Sequence, residues 1–364
     1  MKKLIIRCCL FIPILLLMAV VNFVVDPANL FSGDFYVTGM AQILLSGKNV
    51  ANIGNFDERL LQKRYIEGLH QKKDVIVLGS SRSLSISSAQ FPGKNFFNNS
   101  VSVATIEDDI AIYQLYVDKG LTPSTIILGI DPWIFNKYYN YLFWETLSNE
   151  YWRGVNNLGL GANNYFNNFF NSLGFRKLSQ IISPSYFQES INYLFNHKWN
   201  RLSYFATNII ESDVPIKAFD GFYSFQNEVR LAGIDQVRQK VMRNINNQHI
   251  DTGFEHYQNL DPQLVNLFEK FIDSIKRQGI ELFIYLPPVH PMYYDYLINS
   301  EEKYKMILKV QEYLINVGKD KGILILGSYN PSDIPCQENE FLDIYHSKSS
   351  CTSKIFININ AMNP

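Results

Sequence analysis

Two short polar motifs, far apart in the chain, carry the residue types of a serine nucleophile and its base. Gly79-Ser80-Ser81-Arg82 ends an apolar run and begins a turn, where a serine hydroxyl is exposed and free N–H groups can stabilise an oxyanion. Asp343 and His346, near the C-terminus, are spaced to lie on one side of a turn. A serine needs such a base to become nucleophilic. Each motif alone is also compatible with an ordinary polar turn.

Short apolar runs that alternate with amphipathic stretches must position these motifs. The runs are typical of buried strands and cover residues 74–79, 95–99, 125–130, 281–286 and 322–326. The amphipathic stretches are typical of helices and cover residues 57–71, 106–119, 262–277 and 301–319. Strands that alternate with helices predict an α/β protein with a parallel sheet and right-handed crossovers.

The spacing of the strands is uneven, with a long interval between the third and the fourth. Residues of about 135–260 in this interval are rich in Asn and aromatic side chains, and include Phe219-Asp-Gly-Phe-Tyr223. We expect a large helical insertion over the carboxyl ends of the strands, where open α/β sheets place their ligands. A separate domain stays open as an alternative, although no linker rich in Pro, Ser or Gly flanks the interval.

The N-terminus has the pattern of a membrane anchor. Lys2, Lys3 and Arg7 precede an apolar run at 8–25, which reaches about 27 Å as a helix, close to the hydrocarbon thickness of a bilayer. The distribution of charge predicts a cytoplasmic N-terminus. We therefore expect a single-pass anchor at 1–25 and an extracytoplasmic domain at 26–364. A cleaved signal peptide is the alternative, but the run is long for one and no A-x-A site follows it.

Cysteine positions agree with an extracytoplasmic location. Cys336 and Cys351 would lie outside the membrane, where a disulfide persists. A bridge between them would enclose Asp343 and His346 and stabilise the fold by about 3 kcal/mol. Two unrelated buried thiols are the alternative.

Composition argues against several partners. A formal net charge of -1 provides no basic surface for nucleic acid. The spacing of His249 and His256, near Asp251 and Glu255, fits no structural zinc pattern and favours a solvated loop. Gly159-Leu-Gly161 has too few glycines for a dinucleotide site. We predict no metal and no cofactor.

The order of the motifs resembles that of the SGNH hydrolase superfamily. The likeness covers roughly residues 70–135 and 260–360, and is greatest for the branch of the teichoic acid D-alanine-transfer protein and the membrane-anchored polysaccharide O-acetyltransferases. It rests on Gly79-Ser80-Ser81, Gly129-Ile-Asp-Pro-Trp133 and Asp343-x-x-His346, with a weaker match at Tyr285-Leu-Pro-Pro-Val-His-Pro291. Because the family's nucleophile follows a Gly-x pair, the resemblance assigns Ser81 rather than Ser80.

This resemblance implies a fold and an activity. The fold is a three-layer sandwich with a parallel, flavodoxin-like sheet. The activity is that of a serine O-acyltransferase or esterase on a cell-surface polysaccharide, in which His346 accepts the proton of Ser81 and Asp343 orients His346. An acyl-exporting integral membrane protein would supply the acyl group. The alternative is a non-catalytic member that binds glycans or assists their assembly.

Four further residues are expected near the site. Ser102 stands nearest to the family's second-block glycine, whose N–H helps to bind the oxyanion. Asp131 replaces the usual asparagine donor, so we expect it to be turned away, to be protonated, or to mark lost catalysis. Arg82 would bind an anionic substrate group or cap a helix. His290 would face the cleft or be a loop histidine between prolines.

Overall fold

A computed structural model of the protein describes residues 12–26, 33–161, 181–195, 204–246 and 252–357. Within these ranges the strands are β1 (Asn49–Ala51), β2 (Val75–Leu78), β3 (Phe96–Asn98), β4 (Thr125–Gly129), β5 (Phe205–Thr207), β6 (Ile216–Lys217), β7 (Tyr223–Ser224), β8 (Glu281–Leu286) and β9 (Leu324–Gly327). The α-helices are α1 (Ile12–Val25), α2 (Gly33–Leu45), α3 (Glu58–Glu67), α4 (Ile106–Lys119), α5 (Ser148–Asn157), α6 (Pro184–Phe195), α7 (Asn227–Arg230), α8 (Ile234–Asn246), α9 (Pro262–Arg277), α10 (Pro291–Asn299), α11 (Met306–Lys321) and α12 (Ser349–Phe356).

Five of the strands form one parallel sheet in the order β3-β2-β4-β8-β9. Each of these strands overlaps one of the predicted apolar runs. The predicted α/β class with a parallel sheet is confirmed. The strand order changes direction between β2 and β4, which is the position where doubly wound sheets place ligands beyond the carboxyl ends of their strands. The turns after β2 and β4 carry Ser81 and Asp131.

Side chains on each strand alternate between the two faces of this sheet, because successive residues of a strand point in opposite directions. Ile76 and Leu78 face the larger core, together with buried side chains of α4, α9 and α11. Val75 and Val77 face a smaller core that includes residues of α12. Both faces of the sheet are therefore covered.

A second sheet, which the sequence pattern did not predict, is antiparallel and has the order β5-β1-β6-β7. Strand β1 comes from the N-terminal part of the chain, and the other three come from the segment between β4 and β8. These strands have two or three residues each. Such short strands cannot show the alternation on which a prediction from sequence depends.

Helix α1 packs beside α6 through polar contacts. The Asn22 amide donates to the carbonyl oxygens of Ile181 (2.9 Å) and Ser183 (3.1 Å), and it accepts a hydrogen bond from Ser190 (3.2 Å). Among the described residues, no helix combines the length and the apolar character needed to cross a membrane. Residues 1–11 of the predicted anchor lie outside the described residues.

Candidate active site

The turn after β2 holds Ser81 at the carboxyl edge of the parallel sheet. Gly79 has φ +129°, and a Cβ at this position would lie 2.6 Å from the carbonyl oxygen of Gly129 on the neighbouring strand. Only glycine fits such a close approach. Ser80 caps the following 3₁₀ turn, Ser81–Ser83, by accepting the Arg82 N–H at 3.2 Å. The turn therefore has a defined conformation, and Ser81 is its first residue.

Ser81, His346 and Asp343 form a continuous chain of hydrogen bonds. The Oγ atom of Ser81 lies 3.0 Å from Nε2 of His346. The Nδ1 atom of His346 lies 3.0 Å from each carboxylate oxygen of Asp343. About a fifth of the His346 side chain is exposed, at 21%, so a substrate can reach it. These contacts are within the range in which a base accepts a proton from a nucleophile.

The Asp343 carboxylate is held by its own loop as well as by His346. Its Oδ1 atom accepts the backbone N–H groups of Tyr345 (2.8 Å) and His346 (2.9 Å). Burial raises the pKa of Asp343, but the charge of His346 and these hydrogen bonds outweigh that effect and bring the pKa well below its usual range. Asp343 is therefore ionised at neutral pH, as a residue that orients the imidazole and stabilises its protonated form must be.

A disulfide closes the loop that carries Asp343 and His346. Cys336 and Cys351, the pair expected from the sequence, are bonded to each other in the structure. Inside the loop, the N–H of Leu342 donates to the carbonyl oxygen of His346 at 2.8 Å. This cross-link restricts the unfolded chain and limits the motion of the segment that presents His346.

Arg82 and Asp131 form a buried ion pair next to the turn that carries Ser81. Nη1 of Arg82 lies 3.1 Å from Oδ1 of Asp131, and the side chains are 2% and 4% exposed. Arg82 also donates to the carbonyl oxygen of Pro287. Three aromatic rings have centres within 5.4 to 6.0 Å of the guanidinium carbon: Trp133, Tyr329 and Tyr345. The arginine expected to bind a substrate group or to cap a helix is thus enclosed by protein.

Of the alternatives open for Asp131, its position in this ion pair favours a side chain turned towards Arg82. Burial raises the pKa of Asp131, whereas the Arg82 guanidinium and the Ser80 hydroxyl oppose that shift without reversing it. The Asp131 carboxyl group is bonded to Arg82 within the protein. It does not replace the amide donor that the resemblance implies at this position.

Ser102 is also engaged elsewhere. Both its backbone N–H and its hydroxyl donate to the carboxylate of Glu58, the first residue of α3, and the hydroxyl contact measures 2.9 Å. The N–H that the resemblance assigns to the oxyanion therefore already has an anionic acceptor.

His290 lies next to the loop that carries Asp343 and His346. Its side chain is fully buried, and its Nδ1 atom accepts the Met292 N–H at 3.3 Å at the start of α10. Its backbone N–H donates to the carbonyl oxygen of Ile344 at 3.0 Å. Burial lowers the pKa of His290, although Glu338 and Asp343 oppose the shift. His290 supports the loop from within the core and does not line an open cleft.

Two residues at the site come from the segment between β4 and β8. The ring of Phe225 lies 5.7 Å from the His346 ring, and Nζ of Lys240 lies 3.7 Å from Oδ2 of Asp343. No local motif marks either residue, although Phe225 closely follows Phe219-Asp-Gly-Phe-Tyr223. In the described part of the chain, no three His, Cys, Asp or Glu side chains are grouped as metal ligands would be. His249 and Asp251 lie outside that part.

The fold and the site define an α/β protein with a hydrogen-bonded Ser–His–Asp set at the carboxyl edge of a five-stranded parallel sheet. Over residues 4–359 the chain matches the family described as protein of unknown function (DUF1574), and it belongs to that family. Comparison with curated proteins and with solved structures found no match.

Proposed function

We propose that this protein is a membrane-anchored serine O-acyltransferase or esterase of the SGNH type that acts on a cell-surface polysaccharide. The observation that carries this proposal is the 3.0 Å contact between Ser81 Oγ and His346 Nε2, with Asp343 behind the imidazole. A polar turn or a chance Asp-x-x-His motif would not require Ser81 to meet two residues so distant from it in sequence in this geometry.

The reaction would proceed through an acyl-enzyme. Ser81 Oγ attacks the carbonyl carbon of an ester while His346 Nε2 takes the hydroxyl proton, and Asp343 stabilises the imidazolium. The tetrahedral intermediate collapses, and its C–O bond breaks as His346 returns the proton to the departing alcohol. A sugar hydroxyl or water then attacks the acyl-serine by the same steps. We assign the backbone N–H of Ser81 to the oxyanion, because the first N–H groups of a helical turn have no intrahelical acceptor.

The sheet supports the SGNH assignment. If the five parallel strands are numbered from β2, their order is that of the flavodoxin-like doubly wound sheets. Ser81 follows the first of these strands, and the Asp343/His346 loop follows the last. These are the positions at which the resemblance would put a nucleophile and its base, and they support the proposal.

A membrane location would follow from the N-terminal segment. On α1, large apolar side chains are between 46% and 62% exposed: Ile12, Ile14, Leu15, Leu16, Leu17, Val20, Phe23 and Val24. A contiguous apolar surface of this kind marks a protein or membrane contact. We propose a single-pass anchor with a cytoplasmic N-terminus and an extracytoplasmic catalytic domain. Because acyl-CoA is absent outside the membrane, an acyl-exporting integral membrane protein would supply the donor for a transferase.

A non-catalytic, glycan-binding or assembly role is the second candidate, and one observation favours it. The two positions at which the resemblance places oxyanion donors, Ser102 and Asp131, are bonded to Glu58 and Arg82. If the Ser81 N–H does not suffice, the Ser–His–Asp set would be retained without turnover.

Labelling with a fluorophosphonate probe separates the two candidates. For an enzyme we expect the probe to modify Ser81, and Ser81→Ala to lower the hydrolysis of 4-nitrophenyl acetate by at least about 10³-fold. Ser332→Ala is the control, because it removes an exposed hydroxyl and leaves the turn that carries Ser81 unchanged. A folded protein that binds glycan and takes up no probe would contradict the catalytic proposal.

A further inference from the structure

Among the described residues, an exposed cation at the site is contributed by the inserted segment and not by the turn that carries Ser81. Arg82 is 2% exposed and pairs with Asp131. The Lys240 side chain is 45% exposed, and its ammonium lies 3.7 Å from the Asp343 carboxylate. A charged group of a substrate bound at Ser81 can therefore approach Lys240 without displacing a buried ion pair.

The strap, residues 216–246, brings Lys240 to this position. At the nucleophile side, the N–H of Tyr223 donates to the carbonyl oxygen of Leu84 at 3.1 Å, and the Asp220 carboxylate accepts the N–H of Ser88 at 2.8 Å. These contacts tie the start of the strap to the segment that follows Ser81.

At the base side, the strap is tied to the disulfide-closed loop. The Arg238 guanidinium donates from two nitrogens to the two oxygens of Glu338, at 2.7 and 2.8 Å. Bidentate pairs of this kind fix orientation as well as distance. The strap thus runs from one catalytic motif to the other, and Phe225 and Lys240 lie on it next to His346 and Asp343.

The Lys240 ammonium is not needed to satisfy Asp343. That carboxylate already accepts the imidazole of His346 and two backbone N–H groups. A lysine on a flexible stem, half exposed and at 3.7 Å, makes a weak surface contact that a second anion can share. The half-buried Phe225 ring, next to His346, adds an apolar surface against which the apolar side of a ligand can pack.

Resting on the proposed function, we propose that Phe225 and Lys240 form the acceptor subsite and select sugars that carry an anionic group. The pyranose ring would pack on Phe225, and its carboxylate or phosphate would pair with the Lys240 ammonium while a sugar hydroxyl faces His346. The substrate class is then an acidic surface polysaccharide rather than a neutral one.

The catalytic test compares acetate release from O-acetylated glucuronic acid and from O-acetylated glucose. We expect Lys240→Gln to lower kcat/KM about fivefold to tenfold for the acidic sugar and by a smaller factor for the neutral one. Added salt should reduce the preference of the wild-type protein for the acidic ester. Lys309→Gln, at an exposed position of α11, is the matched control and should change neither ester.

Equal losses on both esters in Lys240→Gln would overturn the inference, because a lysine that only tethers Asp343 affects every substrate alike. The proposed function would stand in that case, since Ser81→Ala would still abolish both reactions. Binding of trigalacturonate to the Ser81→Ala protein, measured by calorimetry, tests the subsite even if neither ester is cleaved. We expect Ser81→Ala/Lys240→Gln to raise the Kd about fivefold, the effect of losing one partly exposed ion pair, and an unchanged Kd contradicts the subsite.

Discussion

The two sides of the candidate site differ in the hydrogen-bond partners of their polar groups. We call the side with Asp343 and His346 the base side, and the side with Ser102 and Asp131 the oxyanion side, after the roles proposed above. On the base side, Asp343 and His346 direct their hydrogen bonds along one line that ends at Ser81. On the oxyanion side, Ser102 and Asp131 direct theirs at Glu58 and Arg82. Each side contains residue types that the sequence associates with catalysis. Only the base side leaves them facing a position that a substrate can occupy.

This difference shows what a motif does and does not specify. Spacing and order along the chain determine which residues can meet, whereas the partners of each polar atom depend on neighbours that are distant in sequence. The resemblance implies an oxyanion donor at the position of Asp131, but a buried carboxylate requires a cation, and Arg82 lies within reach. The comparison therefore predicts that substitutions on the base side change turnover and those on the oxyanion side change stability.

The largest effect should follow from Asp343→Asn. The Asn amide oxygen can still accept the N–H groups of Tyr345 and His346, but its NH₂ would face Nδ1 of His346 and favour the wrong imidazole tautomer. We expect kcat on 4-nitrophenyl acetate to fall by about 10³- to 10⁴-fold. The melting temperature should change little by comparison. Asp320→Asn, at an exposed position of α11, is the control, and equal kcat in the two variants would exclude Asp343 from the mechanism.

The next largest effect should be a loss of stability in Arg82→Met. This change leaves Asp131 buried without its cation, and we expect the free energy of unfolding to fall by about 3–5 kcal/mol. Urea unfolding provides the measurement. Arg82→Met/Asp131→Leu removes both charges and should recover much of the loss. A double variant no more stable than the single one would mean that packing against the aromatic rings, and not the ion pair, makes Arg82 necessary.

The same variant should show a characteristic pH dependence. Burial raises the pKa of Asp131, and removal of Arg82 takes away the largest opposing influence. A carboxyl whose folded-state pKa exceeds its unfolded value destabilises the fold as pH rises from the unfolded value towards the folded one. The loss caused by Arg82→Met should therefore be smaller near pH 4 than at pH 8. A loss that is independent of pH would indicate that Asp131 is not the group left unpaired.

Much of the scaffold could be predicted because its elements satisfy local rules. Helix α9 begins after Asp261, whose side chain accepts the Gln263 and Leu264 N–H groups, and has Pro at its first position. Helix α4 ends at Gly120 in the left-handed conformation. The strands of the parallel sheet are continuous apolar runs. In each case the signal that predicts the element lies within the element or directly next to it in sequence.

The strap and the Arg82 environment could not be predicted for the opposite reason. Trp133, Tyr329 and Tyr345 surround Arg82 from three separate segments, so nothing next to Arg82 in sequence indicates that it is buried. Phe225 and Lys240 lie on the strap, which short strands and the Arg238–Glu338 pair help to hold in place. Contacts of this kind depend on tertiary packing, which a local pattern does not encode.

The smallest effect should follow from Ser102→Ala, and it tests the oxyanion side directly. The variant loses one hydrogen bond from the hydroxyl to the Glu58 carboxylate, worth about 1.5 kcal/mol, and retains the backbone N–H. We expect the free energy of unfolding to fall by that amount and kcat to stay within about twofold of the wild-type value. Glu58→Ala removes the acceptor of both Ser102 donors, so it should destabilise more, and Ser102→Ala should add little in its presence. A rise in kcat for Glu58→Ala would show that the freed Ser102 N–H can bind an oxyanion. Ser102 would then be able to serve as an oxyanion donor, although its N–H is bonded to Glu58 in the structure.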